Sequence, residues 1–308
     1  MQIILQLALL ALGFVMLVKG SDWFVDGAAG IAAKFRIPQI IIGLTIVAMG
    51  TSAPEAAVSI TAAIGGSADI TVGNIVGSNI LNVLVILGLA SAIVPVAVGK
   101  STLKIDIPFM IAISVIFLLL GWDGTITRID GLVLIALFAG YIGYMIWEAL
   151  HSNEEGDEIK DMPIWKMLLS TVIGLALVVW GADVAVDAAT KLAQIFGMSE
   201  RFIGLTVVAL GTSLPELFTS VSAAKRGNAD IAIGNIVGSN IFNILFVVGT
   251  SALVTPIPFA TAFRTDAMIA IVTSVLLFVC CLHRSRLSRK SGFTLLASYA
   301  TYFAMVLA

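Results

Sequence analysis

The chain contains one block of sequence twice, and this internal repeat limits its possible folds more than any other feature. Residues 43–91 and 204–252 align without gaps at an offset of 161, and 28 of the 49 aligned positions are identical. Polar residues are matched along with the rest, Glu55 with Glu216 and Asn82 with Asn243. So long a repeat predicts two copies of one structural unit.

The composition places both copies in a membrane. Hydrophobic residues make up 59% of the 308 positions and charged residues only 12%, whereas roughly a quarter of a soluble domain is charged. The charges fall between ten apolar runs of 17 or more residues, each long enough to cross roughly 30 Å of hydrocarbon as a helix. The sequence therefore predicts an all-α polytopic membrane protein with ten transmembrane helices.

The position of the second copy predicts how the two units are related. The predicted helices are 2–33, 38–64, 70–95, 104–121, 131–149, 164–195, 199–224, 231–254, 265–282 and 291–307. Five crossings precede the second copy, so it enters the membrane from the opposite side. We predict two inverted five-helix repeats, 1–149 and 164–308, joined by the acidic linker 150–163.

Lysine and arginine residues predict the orientation. If the N-terminus is outside, twelve of them lie in inner loops and four in outer ones. Positively charged loops remain in the cytoplasm, so we expect a multi-pass protein of the cell (inner) membrane with both termini extracytoplasmic. The linker would be cytoplasmic, and such a charged segment is usually a solvated spacer, although its acidity could sense a cation.

The motif GTSAPE combines a helix break with a carboxylate. Pro54 has no amide proton, so the carbonyl of Gly50 loses its helical partner and that of Thr51 tilts outward beside Glu55. An ionisable residue inside an apolar run is costly and points to function. The second copy repeats the motif around Glu216. We therefore predict that the two glutamates bind a cation together with freed backbone carbonyls.

A second motif supplies neutral oxygens. Asn74, Ser78 and Asn82 recur at i, i+4 and i+8 and form one polar stripe on a helix. The second copy repeats this stripe as Asn235, Ser239 and Asn243. Such residues either ligate the cation or hydrogen-bond neighbouring helices. The block contains no His or Cys, and all-oxygen ligation suits Ca²⁺ and Na⁺ rather than Zn²⁺ or Cu⁺.

The aspartates of the first helix are ambiguous. Asp22 and Asp26 match Asp183 and Asp187 at the same offset of 161. Lys19 is a basic helical neighbour of Asp22, and the aspartates are either part of the site or helix-end residues that face water.

With the paired motifs G-T-S-x-P-E and G-N-x-x-G-S-N, the chain resembles the calcium/cation antiporter superfamily, most closely its prokaryotic sodium/calcium exchangers. The resemblance covers nearly the whole chain. It implies ten helices, with the second, third, seventh and eighth forming a core and the first and sixth a mobile pair.

The resemblance also implies a ligand set. By motif position, Glu55 and Glu216 are the central ligands. Backbone carbonyls come from Thr51, Thr212, Ala48 and Ala209, and further oxygens from Ser52, Ser213, Ser78, Ser239 and Asn82. Asn243 belongs to the same set and departs from the family, because several relatives have Asp there. That acidic residue is linked to potassium in potassium-dependent relatives, so Asn243 argues against potassium dependence.

The function that we predict is secondary antiport of Na⁺ against Ca²⁺ by alternating access. The abundance of oxygen ligands favours an electrogenic cycle, and no cofactor is needed. A Ca²⁺/H⁺ antiporter is the alternative, because a buried glutamate can carry a proton, and a passive cation channel is a more distant one. An enzyme is not expected, since no nucleophile and base lie near the carboxylates.

The expected partners are the two ions and the lipid bilayer. A formal charge of −2 offers no basic patch for nucleic acid. A monomer is compatible with the sequence, which leaves the oligomeric state open.

Overall fold

The structure, a computed structural model, describes residues 2–151, 163–198 and 209–307. Before residue 152 the elements are α1 (Gln2–Phe35), α2 (Gln39–Thr51), α3 (Ala53–Ile64), α4 (Ile70–Ile93), β1 (Val96–Ala97), α5 (Thr102–Leu120), β2 (Thr125–Ile126) and α6 (Arg128–His151). From residue 163 they are α7 (Ile164–Ile195), α8 (Ala209–Gly211), α9 (Leu214–Lys225), α10 (Ala229–Val254), β3 (Ile257–Pro258), α11 (Thr261–Leu282), a 3₁₀ helix (His283–Ser285), β4 (Arg286–Leu287) and α12 (Arg289–Leu307).

The multi-pass helical architecture is confirmed. Among the described residues, seven helices are long and apolar enough to span a membrane, and α2 with α3 forms a bent pair of 50° that makes an eighth span. The two further predicted spans are 199–224, of which residues 199–208 lie outside the described part, and the region of α12. Ten crossings therefore stay a prediction, as does the acidic linker, since residues 152–162 also lie outside the described part.

Two small strand pairs relate the halves. β1 pairs antiparallel with β4, and β2 pairs antiparallel with β3. Residues 96–97 of β1 and 257–258 of β3 are equivalent at the offset of 161, and so are β2 and β4. Because α5 separates β1 from β2, the two pairs lie at opposite ends of the helices, named here the β1/β4 end and the β2/β3 end. Equivalent strands at opposite ends are what inverted repeats require.

The helices that carry the repeated block lie in the interior. In α10, 94% of the most apolar window is buried inside the protein, and in α4 the value is 78%, against 22% in α1 and α6. The outer helices expose large apolar side chains such as Ile4, Leu132 and Val172, as expected for surfaces that face lipid. The polar motifs therefore lie in the centre of the fold, shielded from the hydrocarbon.

Helices α1 and α7 pack against each other at backbone distance. A Cβ added to Gly20 would lie 2.9 Å from the carbonyl oxygen of Gly174, and one added to Gly181 would lie 3.0 Å from that of Gly13. Small residues allow such close helix packing within a membrane. These two helices, named here the α1–α7 pair, are thus joined along their length, which fits the paired first and sixth helices that the resemblance implies.

Candidate cation-binding site

Both halves break their helix at the same position. Ser52 separates α2 from α3 with φ −83° and ψ 9°, and Ser213 precedes α9 with φ −89° and ψ 5°. Each break is followed by a proline, as predicted. One detail of the prediction is wrong, because a backbone amide at the end of α2 donates to the carbonyl of Gly50. That carbonyl oxygen therefore accepts a different backbone hydrogen bond and is not left free.

The two carboxylates are held across the interface between the halves. Ser52 Oγ donates to Glu216 Oε1 at 2.8 Å, and Ser213 Oγ donates to Glu55 Oε1 at 3.4 Å. Both glutamates are 1% exposed. Within the described part of the chain, their Oε2 atoms have no hydrogen-bond partner and no salt bridge reaches them. Each half therefore positions the other half's carboxylate and leaves one oxygen of it free.

Four asparagines connect α4 with α10. Asn79 Nδ2 donates to the Asn240 carbonyl at 3.3 Å, and Asn240 Nδ2 returns the bond at 3.2 Å. Asn82 Nδ2 donates to Asn240 Oδ1 at 2.9 Å, and Asn243 Nδ2 donates to Asn79 Oδ1 at 3.1 Å. The sequence reasoning missed Asn79 and Asn240, although both close the G-N-x-x-G-S-N motif. They fix which way the amides of Asn82 and Asn243 face.

The consequence is a second pair of free oxygens. Asn82 Oδ1 and Asn243 Oδ1 are buried without a partner among the described residues. Each asparagine begins a π-helical turn, Asn82–Ile86 and Asn243–Val248, an irregularity that often marks functional sites. The first of these turns contacts α9 and the second contacts α3, the helices that carry the carboxylates.

The other stripe residues brace the carboxylate helices. Asn74 Nδ2 donates to the Glu55 carbonyl at 3.3 Å and to Ser59 Oγ at 2.9 Å. Asn235 Nδ2 makes the equivalent bonds to the Glu216 carbonyl and to Ser220 Oγ. These contacts fit the alternative in which the two amides join neighbouring helices rather than bind the ion.

The remaining predicted ligands fall around this centre. Thr51 Oγ1 donates to Asn235 Oδ1 at 3.0 Å, and the Ala48 carbonyl accepts a bond from Ser239 Oγ at 3.4 Å. Thr212 lies in the wall of a cavity together with Pro54, the residue before Glu55. Ser78 is buried one turn before Asn82, and Ala209 begins α8 at the edge of the described residues.

A cavity of ≈ 680 Å³ adjoins the site on one side. Pro54 and Thr212, the neighbours of Glu55 and Ser213, lie in its wall together with Asp183 and Asp187 of α7. The cavity follows α3 towards the β2/β3 end, where Thr255 Oγ1 donates to the carbonyl of Ala63 at 2.9 Å. The site is therefore approached from the β2/β3 end.

The two matching halves thus bring two buried carboxylates and two unpartnered amide oxygens together among the described residues. Residues 5–147 and 166–308 match the sodium/calcium exchanger protein family. The chain belongs to this family. The two matched segments correspond to the two predicted repeats.

Relatives of the exchanger cover nearly all of it. Sodium/calcium exchanger MaX1 of Methanosarcina acetivorans is 34% identical over 315 residues, covering 88% of this chain and 90% of the relative. Inner membrane protein YrbG of Escherichia coli is 34% identical, covering 98% and 97%. Among solved structures, the sodium-calcium exchanger NCX_Mj soaked with Na⁺ and Sr²⁺ superposes with a TM-score of 0.87 at 34% identity, covering 98% of both chains.

Proposed function

We propose that this exchanger moves Ca²⁺ against Na⁺ across the membrane through one site shared by its halves. The observation that carries the proposal is the reciprocal Ser52–Glu216 and Ser213–Glu55 hydrogen bonding, which leaves a free Oε2 on each carboxylate. Buried free carboxylate oxygens are costly unless a cation binds there. The names of MaX1 and NCX_Mj support Na⁺ and Ca²⁺ as that cation.

The proposed ligands combine charged and neutral oxygens. Glu55 and Glu216 supply the charges, and Asn82 and Asn243 supply amide oxygens that have no other partner. The remaining proposed donors are Ser52, Ser213, Ser78 and Ser239, with carbonyls of Ala48, Ala209, Thr51 and Thr212. Ca²⁺ takes about six to eight oxygens, so this set exceeds the need of one Ca²⁺ and can hold several Na⁺ ions in its place.

We further propose that the exchange is electrogenic, with three Na⁺ for one Ca²⁺. A tenfold Na⁺ gradient supplies about 1.4 kcal/mol per ion, and one net charge moving across about 100 mV adds about 2.3 kcal/mol. Together they support a Ca²⁺ gradient of order 10⁴ to 10⁵, whereas two-for-one exchange supports only about a hundredfold gradient. With valinomycin and a K⁺ gradient to set the potential, Na⁺-loaded vesicles should take up Ca²⁺ faster when positive inside.

The direct test is ⁴⁵Ca uptake into proteoliposomes that contain Na⁺. Uptake should require internal Na⁺, should saturate, and should slow when external Na⁺ is raised to the internal concentration. Replacing internal Na⁺ by K⁺ at constant pH should abolish it. Uptake that persists without Na⁺ and follows an imposed pH gradient would instead establish Ca²⁺/H⁺ exchange, and non-saturating flux without a counter-ion would establish a channel.

We also propose that the β1/β4 end faces the cytoplasm, which places both termini outside the inner membrane. The support is the asymmetry of twelve inner against four outer basic residues. In a variant with Cys280→Ser and Cys281→Ala, a cysteine introduced at Ser152 in the linker should be shielded from an impermeant thiol reagent in intact cells. Labelling from outside would reverse this orientation.

A further inference from the structure

Arg226 forms ion pairs that the repeat does not duplicate. We propose that Arg226 is a positioning residue for the exchange: it holds α1 against α9 at the β1/β4 end and so favours the state in which the site opens to the β2/β3 end. The inference rests on the proposed exchange by alternating access. It concerns the balance between the two open states and not the ligands themselves.

The contact consists of one guanidinium and two carboxylates. Arg226 Nη1 lies 2.6 Å from Asp26 Oδ1, and Nη2 lies 3.1 Å from Asp22 Oδ1. Ser222 Oγ donates to the same Asp22 oxygen at 2.7 Å. The three charged side chains are 30–35% exposed. Asp22 and Asp26 are therefore not helix-end residues that face only water, since they connect α1 to the end of α9.

The other end has the equivalent carboxylates but no arginine at the position equivalent to Arg226. Asp183 and Asp187 of α7 are equivalent to Asp22 and Asp26, but the position equivalent to Arg226 is Gly65. In the structure Asp183 and Asp187 lie in the wall of the cavity, whereas Asp22 and Asp26 lie in the contact between α1 and the end of α9. The repeat thus supplies an acidic pair at both ends, but an arginine at the position of Arg226 at the β1/β4 end alone.

Equivalent helix surfaces are in contact at the β1/β4 end and are separated by the cavity at the β2/β3 end. Val58 lines the cavity and is 43% exposed, whereas its equivalent Thr219 is 0% exposed and its Oγ1 has no partner among the described residues. Ala57 also lines the cavity, and its equivalent Phe218 packs on Phe14 of α1 with ring centroids 6.0 Å apart. A passage equivalent to the cavity is closed at the β1/β4 end, and Arg226 lies at its mouth.

The α1–α7 pair transmits the effect of the contact. Because its two backbones touch through glycines, the helices move together. Holding α1 against α9 at the β1/β4 end therefore keeps α7 away from α3 at the β2/β3 end. Partly exposed ion pairs contribute modestly, so removing this one should shift the equilibrium between the open states by roughly two- to fivefold.

The test compares Arg226→Met with the wild type from both sides of the membrane. The apparent affinity for ⁴⁵Ca is measured in right-side-out and in inverted membrane vesicles. We expect it to rise about two- to fivefold at the β1/β4 face and to fall at the other face. Arg226→Lys, which keeps the cation, should stay close to the wild type. Unchanged affinities at both faces, or a change in the same direction at both, would overturn the proposal.

Lys225→Met is the matched control. It removes a positive charge from the same end, next to Arg226, without changing a residue that contacts Asp22 or Asp26. It should leave the affinities unshifted. If it reproduces the shifts of Arg226→Met, surface potential explains them and the positioning role is wrong.

A second measurement does not depend on transport. Thr219→Cys is introduced together with Cys280→Ser and Cys281→Ala, and the labelling rate with a water-soluble thiol reagent is measured. Adding Arg226→Met should raise this rate about two- to fivefold, because the closed passage opens more often. An unchanged rate contradicts the proposal even if Na⁺/Ca²⁺ exchange is established. A raised rate in a protein that does not exchange these ions would contradict only the proposed function.

Discussion

Around the carboxylates the two halves form matching contacts. At the two ends of the helices they differ, because surfaces that are in contact at the β1/β4 end are separated by a cavity at the β2/β3 end. Ser52 and Ser213 each bond the opposite glutamate, and the four asparagines bond in reciprocal pairs. By contrast, Thr219 is fully buried while Val58 lines a cavity. A symmetric centre allows one site to serve both sides of the membrane, and asymmetric ends decide which side reaches it.

A glycine of the repeated block allows a close contact between the halves. A Cβ added to Gly238 would lie 2.5 Å from the Leu44 carbonyl oxygen and 2.7 Å from the Ala48 Cβ. Helix α10 is therefore packed tightly against α2 at this position.

The largest expected effect comes from neutralising the centre. Glu55→Gln and Glu216→Gln keep the shape of the side chain but remove a charge from a buried site, where an uncompensated charge is worth several kcal/mol. About 3 kcal/mol is roughly a hundredfold in affinity. We expect each variant to lose at least about a hundredfold in Na⁺-dependent ⁴⁵Ca exchange. Glu148→Gln, which alters a carboxylate bonded to Ser101, is the control and should transport normally.

A smaller effect, of the same size in both halves, is expected when hydrogen bonds among the four asparagines are removed. Asn79→Ala removes the acceptor of Asn243 Nδ2, and Asn240→Ala removes the acceptor of Asn82 Nδ2. A buried polar group without a partner costs about 1–3 kcal/mol, and the freed amide no longer fixes its Oδ1 towards the ion. Apparent Ca²⁺ affinity should fall about tenfold in both variants. A loss confined to one of them would show that the centre is not symmetric.

A substitution at Gly238 tests the close contact between α10 and α2 through stability. Gly238→Ala overpacks the contact with α2 and should destabilise the protein by about 1–3 kcal/mol, seen as a lower thermal unfolding temperature in detergent. Gly140→Ala is the control, because a Cβ added there in α6 meets no atom of the described residues within 4 Å, and it should leave the unfolding temperature unchanged or slightly raised. Equal losses in both variants would contradict the close packing at Gly238.

The smallest effect is expected at the helix breaks. Pro54→Ala and Pro215→Ala restore an amide that can extend the helix and reduce the bend, which draws Ser52 or Ser213 away from the opposite carboxylate. One hydrogen bond of about 1 kcal/mol corresponds to roughly fivefold in affinity. Ca²⁺ affinity should fall by that factor at near wild-type expression. Wild-type Ca²⁺ affinity in both variants would show that the helix breaks do not contribute to ion binding.

Much of this arrangement was predictable because the repeat and the apolar runs are local sequence signals. Among the described residues, the helix ends lie within four residues of the predicted ones, and the two glutamates do lie at paired helix breaks; the predicted start at residue 199 lies outside the described part. The sequence placed Ser52 and Glu55 on one helical face, which is a local relation. Only the fold shows that Ser52 bonds the glutamate of the other half.

The residues that were missed depend on contacts between distant segments. Asn79 lies one position after Ser78, off the stripe of Asn74, Ser78 and Asn82, so helical spacing did not select it. The available signal was the repeat itself, which has asparagine at both equivalent positions, Asn79 and Asn240. Arg226 was visible as a mismatch with Gly65, but nothing local indicates that it reaches α1, some 200 residues earlier in the chain.

Equilibrium ⁴⁵Ca binding to the purified exchanger tests most directly whether the halves share one site. Binding is measured without Na⁺ for the wild type, Glu55→Gln and Glu216→Gln, with size-exclusion profiles to confirm folding. If both carboxylates hold one ion, either substitution removes the saturable binding and Na⁺ displaces Ca²⁺ from the wild type. Retention of about half of the sites in each variant would mean that each half binds its own ion, and would contradict the shared site.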